Sequence, residues 1–292
     1  MAYGERESWI IEQIEEIEER KLHPIRLGRE IVVWGKDYWG RDAWIKFLPT
    51  DKKGWFWLYD PRMEPVRITA DLLHHKFRRT RLEYHGAKLE VFEHIGVLRW
   101  LGLERIIIQS TAWPPYYGRP YELWRHIKIA CHSDLGSEME WITVGRPIKR
   151  ETKIGYTEIQ PKESPELDIS ITCHYHGIGT ELLELNLPAD ARMLEIALEA
   201  CALGWPNWTY HLSRLASKIW WPHHQNITWL RELGADETLR ATVLHRLGDL
   251  LGALSVVNPI GLLAARVISF YSGHKADVDA VQESQKVLKP RR

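Results

Sequence analysis

The spacing of apolar residues along the first part of the chain predicts one helix followed by short strands. The isoleucines of residues 7–21 recur at helical spacing among glutamates, which indicates an N-terminal helical extension over residues 1–22. Residues 25–66 alternate between β-branched or aromatic runs and turn residues, a pattern typical of short strands. Asp71 is a residue type that often begins a helix, so we expect a helix over residues 71–79.

The next segment carries an apolar helix and a buried strand. Residues 92–103 have apolar residues on most faces and end in a Leu-Gly-Leu sequence, which predicts a helix that ends at Gly102. Residues 104–110 contain three consecutive isoleucines, and such a β-branched run is typical of a strand in a protein core.

A turn from Gly145 to Lys149 separates this part from a second series of strands and helices. The pattern predicts strands over residues 153–161, 167–176 and 181–188, and helices over residues 191–204, 236–257 and 259–271. Strands followed by helices therefore occur twice. We expect an α+β fold with one α+β domain over residues 23–143 and another over residues 144–292.

Composition and charge exclude several classes of protein. The 292 residues are 45% hydrophobic and 27% charged, which is typical of a globular protein. Lysine plus arginine equals aspartate plus glutamate, 39 against 39, so nothing favours a nucleic-acid partner. The three cysteines form no C-x-x-C pair, the N-terminus is too charged for a secretory signal, and no apolar run is long enough for a transmembrane segment. We expect a cytoplasmic protein.

Three short motifs carry candidate chemistry. His245 and Asp249 are four residues apart, so on a helix both side chains share one face and reach the same metal ion. Among 14 histidines about one such pair is expected by chance, and alone it is more typical of a surface ion pair. Glu93 and His94 begin an apolar helix, where buried ionisable groups need partners. His274 follows Ser-Gly after another apolar run.

Two further features leave alternatives open. His174 and His176 are alternate residues of a predicted strand, so they share a face and form a second candidate metal pair. Fifteen tryptophans are present, several of them within residues 205–229. They are typical either of core filling or of the lining of a binding site.

Taken in order, the motifs resemble those of the zinc-dependent UDP-3-O-acyl-N-acetylglucosamine deacetylases of lipid A synthesis. That family has a V-E-H-L sequence before an apolar helix, then H-K-x-x-D-x-x-G-D-L, then a proline-isoleucine-glycine stretch leading to S-G-H. The matching segments here are Val91–Ile95 with Leu101–Leu103, His245–Leu254, and Asn258–Gly261 with Ser272–His274. The resemblance extends over residues 25 to 285.

The resemblance implies a fold, a site and a reaction. The fold would be two stacked β-α-α-β domains with the helices sandwiched between two sheets. His94, His245 and Asp249 would bind zinc (Zn2+), with Glu93 as general base and His274 as acid or cationic stabiliser. The reaction would hydrolyse the acetamide of a UDP-linked, 3-O-acylated glucosamine, and an apolar passage, for which residues 205–229 are a candidate lining, would take the acyl chain.

Some family positions differ in this chain. Tyr38 stands where the family has a histidine, Arg246 follows the second ligand in place of lysine, and Ala253 replaces the aspartate of G-D-L. The family's M-D-G-S segment is Pro115–Gly118 here. These differences favour two alternatives: a divergent zinc deacetylase of another N-acyl sugar, or a non-catalytic binding protein that retains zinc. The sequence does not indicate an oligomeric state.

Overall fold

The computed structural model shows an α+β fold, as predicted. It describes residues 22–37, 40–76, 79–115, 120–134, 137–175, 179–199, 202–203, 227–228 and 235–290. The predicted N-terminal extension, except residue 22, lies outside the described residues, and so does nearly all of the tryptophan-rich stretch 205–229.

Short strands dominate the first half of the described chain. In order they are β1 (Ile25–Leu27), β2 (Ile31–Lys36), β3 (Asp42–Pro49), β4 (Trp55–Trp57), β5 (Val66–Arg67), β6 (Leu73–His75), β7 (Thr80–Tyr84), β8 (Ala87–Leu89), β9 (Ile106–Ser110) and β10 (Cys131–Ser133). The helices are α1 (Glu93–Gly96), which a 3-10 helix over Val97–Leu101 continues, and α2 (Pro120–Lys128).

Five of these strands form the main sheet of the first half, in the order β2-β3-β9-β4-β5. Strand β9, the predicted isoleucine strand, pairs with β3 in antiparallel fashion and with β4 in parallel fashion. Along β3, Ala43, Ile45 and Phe47 are buried while their neighbours are more exposed, as expected for a strand with one face on the core. Strands β6, β7 and β8 form a separate antiparallel sheet beside this one.

The second half contains several longer strands and three helices. The strands are β11 (Trp141–Val144), β12 (Ile148–Glu151), β13 (Tyr156–Pro161), β14 (Leu167–Tyr175), β15 (Gly179–Leu187), β16 (Ala202–Leu203), β17 (Ile227–Thr228), β18 (Leu262–Phe270) and β19 (Leu288–Pro290). The helices are α3 (Ala191–Glu199), α4 (Ala235–Leu254) and α5 (His274–Gln285).

Strand β18 is central to the large sheet of the second half, because it pairs with β11, β13 and β14. Helix α4 contacts β14 and β15 of this sheet and contacts α1 from the first half. Helix α5 contacts β12 and β13, and its Gln282 side chain donates a hydrogen bond to the carbonyl oxygen of Leu73 in β6. Helices α4 and α5 therefore lie between the large sheet and elements of the first half.

Two predicted helices are wrong. Among the described residues of 71–79, the helical part is limited to a 3-10 helix over Ala70–Leu72, and β6 follows it, because residues 73–75 pair with β7. Within residues 259–271, Leu262–Phe270 form strand β18 instead of a helix. A continuous apolar run suits a buried strand as well as a buried helix, and here three neighbouring strands decide the outcome. The helix over residues 92–103 is confirmed, and Gly102 ends it with a φ of 94°.

The division into domains over residues 23–143 and 144–292 stays a prediction. Strand β11 straddles that boundary and pairs with β18 and β19. Among the described residues, no helix is both long enough and apolar enough to cross a lipid bilayer.

Candidate metal centre

Helices α1 and α4 approach each other through a glycine from each. A Cβ atom on Gly252 would lie 2.1 Å from the carbonyl oxygen of Glu93, and one on Gly96 would lie 2.6 Å from the carbonyl oxygen of Gly252. No larger residue fits at either position without moving a backbone, so the missing side chains permit the contact. The indole N–H of Trp100 donates to the carbonyl oxygen of Leu251 at 2.7 Å and fixes the same pair of segments.

This contact brings His94 from α1 next to His245 and Asp249 of α4. The Nε2 atoms of His94 and His245 lie 3.7 Å and 3.6 Å, respectively, from Oδ1 of Asp249. The centroids of the two imidazole rings are 5.5 Å apart. One potential ligand atom from each residue lies within 4.8 Å of the other two. The structure therefore brings together the three residues that the sequence proposes as ligands.

The chemistry of this group suits a zinc ion. Two imidazoles and one carboxylate are a donor set of catalytic zinc sites, where tetrahedral ligands about 2.1 Å from the metal lie about 3.4 Å from one another. The measured nitrogen–oxygen separations are close to that value. Oδ1 of Asp249 is buried and accepts no hydrogen bond from any residue that the structure describes. A bound cation would compensate the cost of that unsatisfied oxygen.

The second oxygen of Asp249 faces the predicted acid, and the predicted base lies close to both residues. Nε2 of His274, the first residue of α5, lies 3.6 Å from Oδ2, and Glu93, Asp249 and His274 form a second close group of potential ligand atoms. The backbone N–H of Thr80 donates to Oε2 of Glu93 at 2.9 Å, and the Thr80 hydroxyl lies 3.2 Å from Nδ1 of His274. The other four predicted site residues thus surround the carboxylate of Asp249.

Burial and neighbouring charges shift the pKa values of this group in different directions. Burial, reinforced by the Asp249 carboxylate, raises the pKa of Glu93 well above its usual range. Burial also acts to raise the pKa of Asp249, but His245, His274 and His94 outweigh it and hold that pKa well below normal. Burial lowers the pKa of His274 despite the nearby Asp249. A raised carboxyl pKa suits a base that works near neutral pH.

A second buried polar cluster lies beside this site. Nη2 of Arg246 is 2.6 Å from Oδ2 of Asp277 and donates to the Ser272 hydroxyl at 2.9 Å, and the Thr157 hydroxyl donates to Oδ1 of Asp277 at 2.8 Å. Burial would lower the pKa of Arg246, but Asp277 outweighs it and the pKa rises. This ion pair joins α4 to α5 next to His245.

Sequence reasoning missed Thr80 and Asp277. Thr80 lies thirteen residues before Glu93 and in no motif, so no sequence signal marked it. Asp277 follows His274 by three residues, which is helical spacing, and this was the one feature of the sequence that could have pointed to it.

The family positions that differ have the following places in the structure. Ala253 is fully buried in the core, and among the described residues the Thr80 hydroxyl lies within hydrogen-bond distance of the His274 ring. Tyr38 and residues 116–118 lie outside the described residues. His174 is exposed, with Nδ1 2.8 Å from the Thr180 hydroxyl, and His176 lies outside the described part, so that alternative metal pair stays a prediction.

Models of known protein families and curated proteins give no match to this chain.

Proposed function

We propose that this protein is a zinc-dependent deacetylase that hydrolyses the acetamide of UDP-3-O-acyl-N-acetylglucosamine or a close relative. The observation that carries the proposal is the arrangement around Asp249. Two imidazoles lie beside one buried oxygen that lacks a hydrogen bond, a third histidine lies beside the other oxygen, and Glu93 lies close to the same carboxylate. Such an arrangement supplies both metal ligands and groups for proton transfer in one place.

Each residue has a defined role in this reaction. Zinc held by His94, His245 and Asp249 would polarise the acetyl carbonyl and increase the acidity of water. Glu93 takes the proton of the attacking water, and the Thr80 N–H holds its carboxylate in place through Oε2. His274 presents Nε2 to the cluster and, when protonated, gives a proton to the leaving amine. The products are acetate and a free amino sugar.

A deacetylase of a different N-acyl sugar is the second candidate, and one contact favours it. Arg246, at the position of the family's lysine, is buried and ion-paired with Asp277, so its charge is neutralised inside the protein. It therefore offers little attraction to an anionic nucleotide.

A UDP-linked substrate would place the reaction in the cytoplasm, where we expect the protein.

Zinc content tests the metal part of the proposal. Purified protein should contain about one zinc ion per chain, and the His245→Ala variant should contain only background zinc, because the site loses one of three ligands. His174→Ala is the matched control, since His174 is exposed and belongs to the alternative pair. Full zinc retention by His245→Ala, or loss in His174→Ala, would contradict the ligand assignment.

Acetate release tests the catalytic part. The wild type should release acetate from UDP-3-O-acyl-N-acetylglucosamine, from UDP-N-acetylglucosamine or from another N-acetylated sugar in the same panel. Glu93→Gln should keep its zinc and lose about 10²–10⁴-fold in rate, since it removes the base. Glu184→Gln, an exposed change on β15, should have wild-type activity. No release by a zinc-loaded wild type on any substrate would favour a non-catalytic zinc-binding protein.

A further inference from the structure

Thr80 contacts both of the groups that the proposed reaction uses for proton transfer. It is the first residue of β7, it is fully buried, and it lies in none of the motifs. Its backbone N–H donates to Glu93, and its hydroxyl lies within hydrogen-bond distance of His274. We propose that Thr80 is a positioning residue whose hydroxyl holds the His274 ring with Nε2 directed at the metal cluster. This inference rests on the proposed function.

The main-chain contacts of Thr80 make its position well defined. Its carbonyl oxygen accepts a hydrogen bond from the N–H of Phe92 at 2.9 Å, so β7 is tied to the residue that precedes Glu93. Its N–H is 2.9 Å from Oε2 of Glu93. The hydroxyl is thus anchored to the same backbone that positions Glu93, and it fixes the ring of His274 relative to that carboxylate.

The two nitrogens of the His274 ring have different neighbours. Nε2 lies 3.6 Å from Oδ2 of Asp249, whereas Nδ1 lies 3.2 Å from the Thr80 hydroxyl. The hydroxyl therefore holds the ring through the nitrogen that is not directed at the cluster, and Nε2 remains the nitrogen for proton transfer.

A hydroxyl is suited to this position for a chemical reason. Loss of the Nε2 proton leaves Nδ1 protonated, so the hydroxyl oxygen can accept a hydrogen bond from Nδ1–H both before and after His274 gives up its proton. A methyl group at this position could not accept that hydrogen bond.

Two variants separate positioning from packing. Thr80→Val keeps the shape and removes the hydroxyl, whereas Thr80→Ser keeps the hydroxyl and removes a methyl group. We expect kcat for acetate release to fall about 10–100-fold in Thr80→Val, which corresponds to the loss of one buried hydrogen bond, with KM unchanged. Thr80→Ser should stay within about threefold of the wild type, and both should bind one zinc ion per chain. The reverse order, with Ser impaired and Val active, would overturn the proposal and indicate a packing role.

A spectroscopic measurement tests the same hydrogen bond without any substrate. Nitrogen NMR of the zinc-loaded protein, with ¹⁵N in its histidine rings and His274→Gln for assignment, reports the hydrogen bonding of each ring nitrogen. The Nδ1 resonance of His274 should be the same in the wild type and in Thr80→Ser, and it should shift in Thr80→Val, which lacks the hydroxyl. An unchanged His274 spectrum in Thr80→Val would overturn the proposal. If no substrate is hydrolysed, the proposed function fails while this measurement still decides the role of Thr80.

Discussion

Two buried carboxylates, Asp249 and Asp277, lie in the contact between α4 and α5 and have opposite surroundings. Asp277 belongs to α5 and receives Arg246 from α4 at 2.6 Å together with the Thr157 hydroxyl. Asp249 belongs to α4 and faces His274 from α5 at 3.6 Å. Its Oδ1 accepts no hydrogen bond from the residues that the structure describes.

The difference separates a structural ion pair from the proposed metal site. Oδ2 of Asp277 also accepts no hydrogen bond from the described residues, but it lies 2.6 Å from the Arg246 guanidinium, so the charge of Asp277 is balanced within the folded protein. Asp249 faces imidazoles at more than hydrogen-bond distance, and in the proposed function a bound cation would balance its charge. The ion pair also joins the two helices that carry Asp249 and His274, so it maintains the geometry of the site beside it.

Replacing each carboxylate by its amide should give opposite results, and this is the largest effect that we expect. Asp249→Asn should lose its zinc, because a neutral amide is a far weaker zinc ligand than a carboxylate. Asp277→Asn should retain zinc in its folded fraction while its stability falls. Metal analysis and urea unfolding of both variants measure this, and equal zinc loss in both would remove the distinction.

Arg246→Met should destabilise the protein by about 3–5 kcal/mol, because it leaves the Asp277 carboxylate buried without its cation. The free energy of unfolding from urea titration measures this loss. The matched control is Arg266→Met, since Arg266 is exposed on β18 and should change stability by less than about 0.5 kcal/mol. A change below about 1 kcal/mol in Arg246→Met would show that the pair is not structural.

Glu93→Gln should remove a pH dependence from the stability of the chelator-treated protein. The pKa of Glu93 is raised above 4.5 in the folded state, so the folded protein binds more protons than the unfolded chain between the two values. The free energy of unfolding should therefore fall as the pH rises above about 4.5. Glu93→Gln should lack this decrease, as thermal melting over a pH series would reveal. Parallel pH profiles for both proteins would contradict the shift.

Ser272→Ala should have the smallest effect. The change removes the hydrogen bond that Arg246 donates to the Ser272 hydroxyl and the contact of that hydroxyl with Thr157, but it leaves the ion pair with Asp277 in place. We expect a loss of about 1 kcal/mol in the free energy of unfolding and unchanged zinc content. Loss of zinc in this variant would mean that the ion-pair cluster and the metal site are less separate than their contacts indicate.

Local sequence patterns predicted most of the elements that position the site. Strand β9 and helix α4 lie where apolar periodicity placed them, and the helical stretch after Glu93 ends at Gly102 as expected. The errors fell where periodicity is ambiguous. The apolar run of β18 suits a helix equally well until three partner strands are known, and residues 73–75 are a strand only because β7 pairs with them.

The sequence by itself determined the pairing of His245 with Asp249, because one turn of a helix fixes the distance between residues four apart. Only the tertiary structure decided that His94 and His274 join them. That meeting depends on the contact of Gly96 with Gly252 and on the placement of α5 against α4, which involve residues far apart in the chain. The roles of Thr80 and of the Arg246–Asp277 pair could not be predicted from the sequence for the same reason. A hydrogen bond between distant segments leaves no periodic pattern in the sequence.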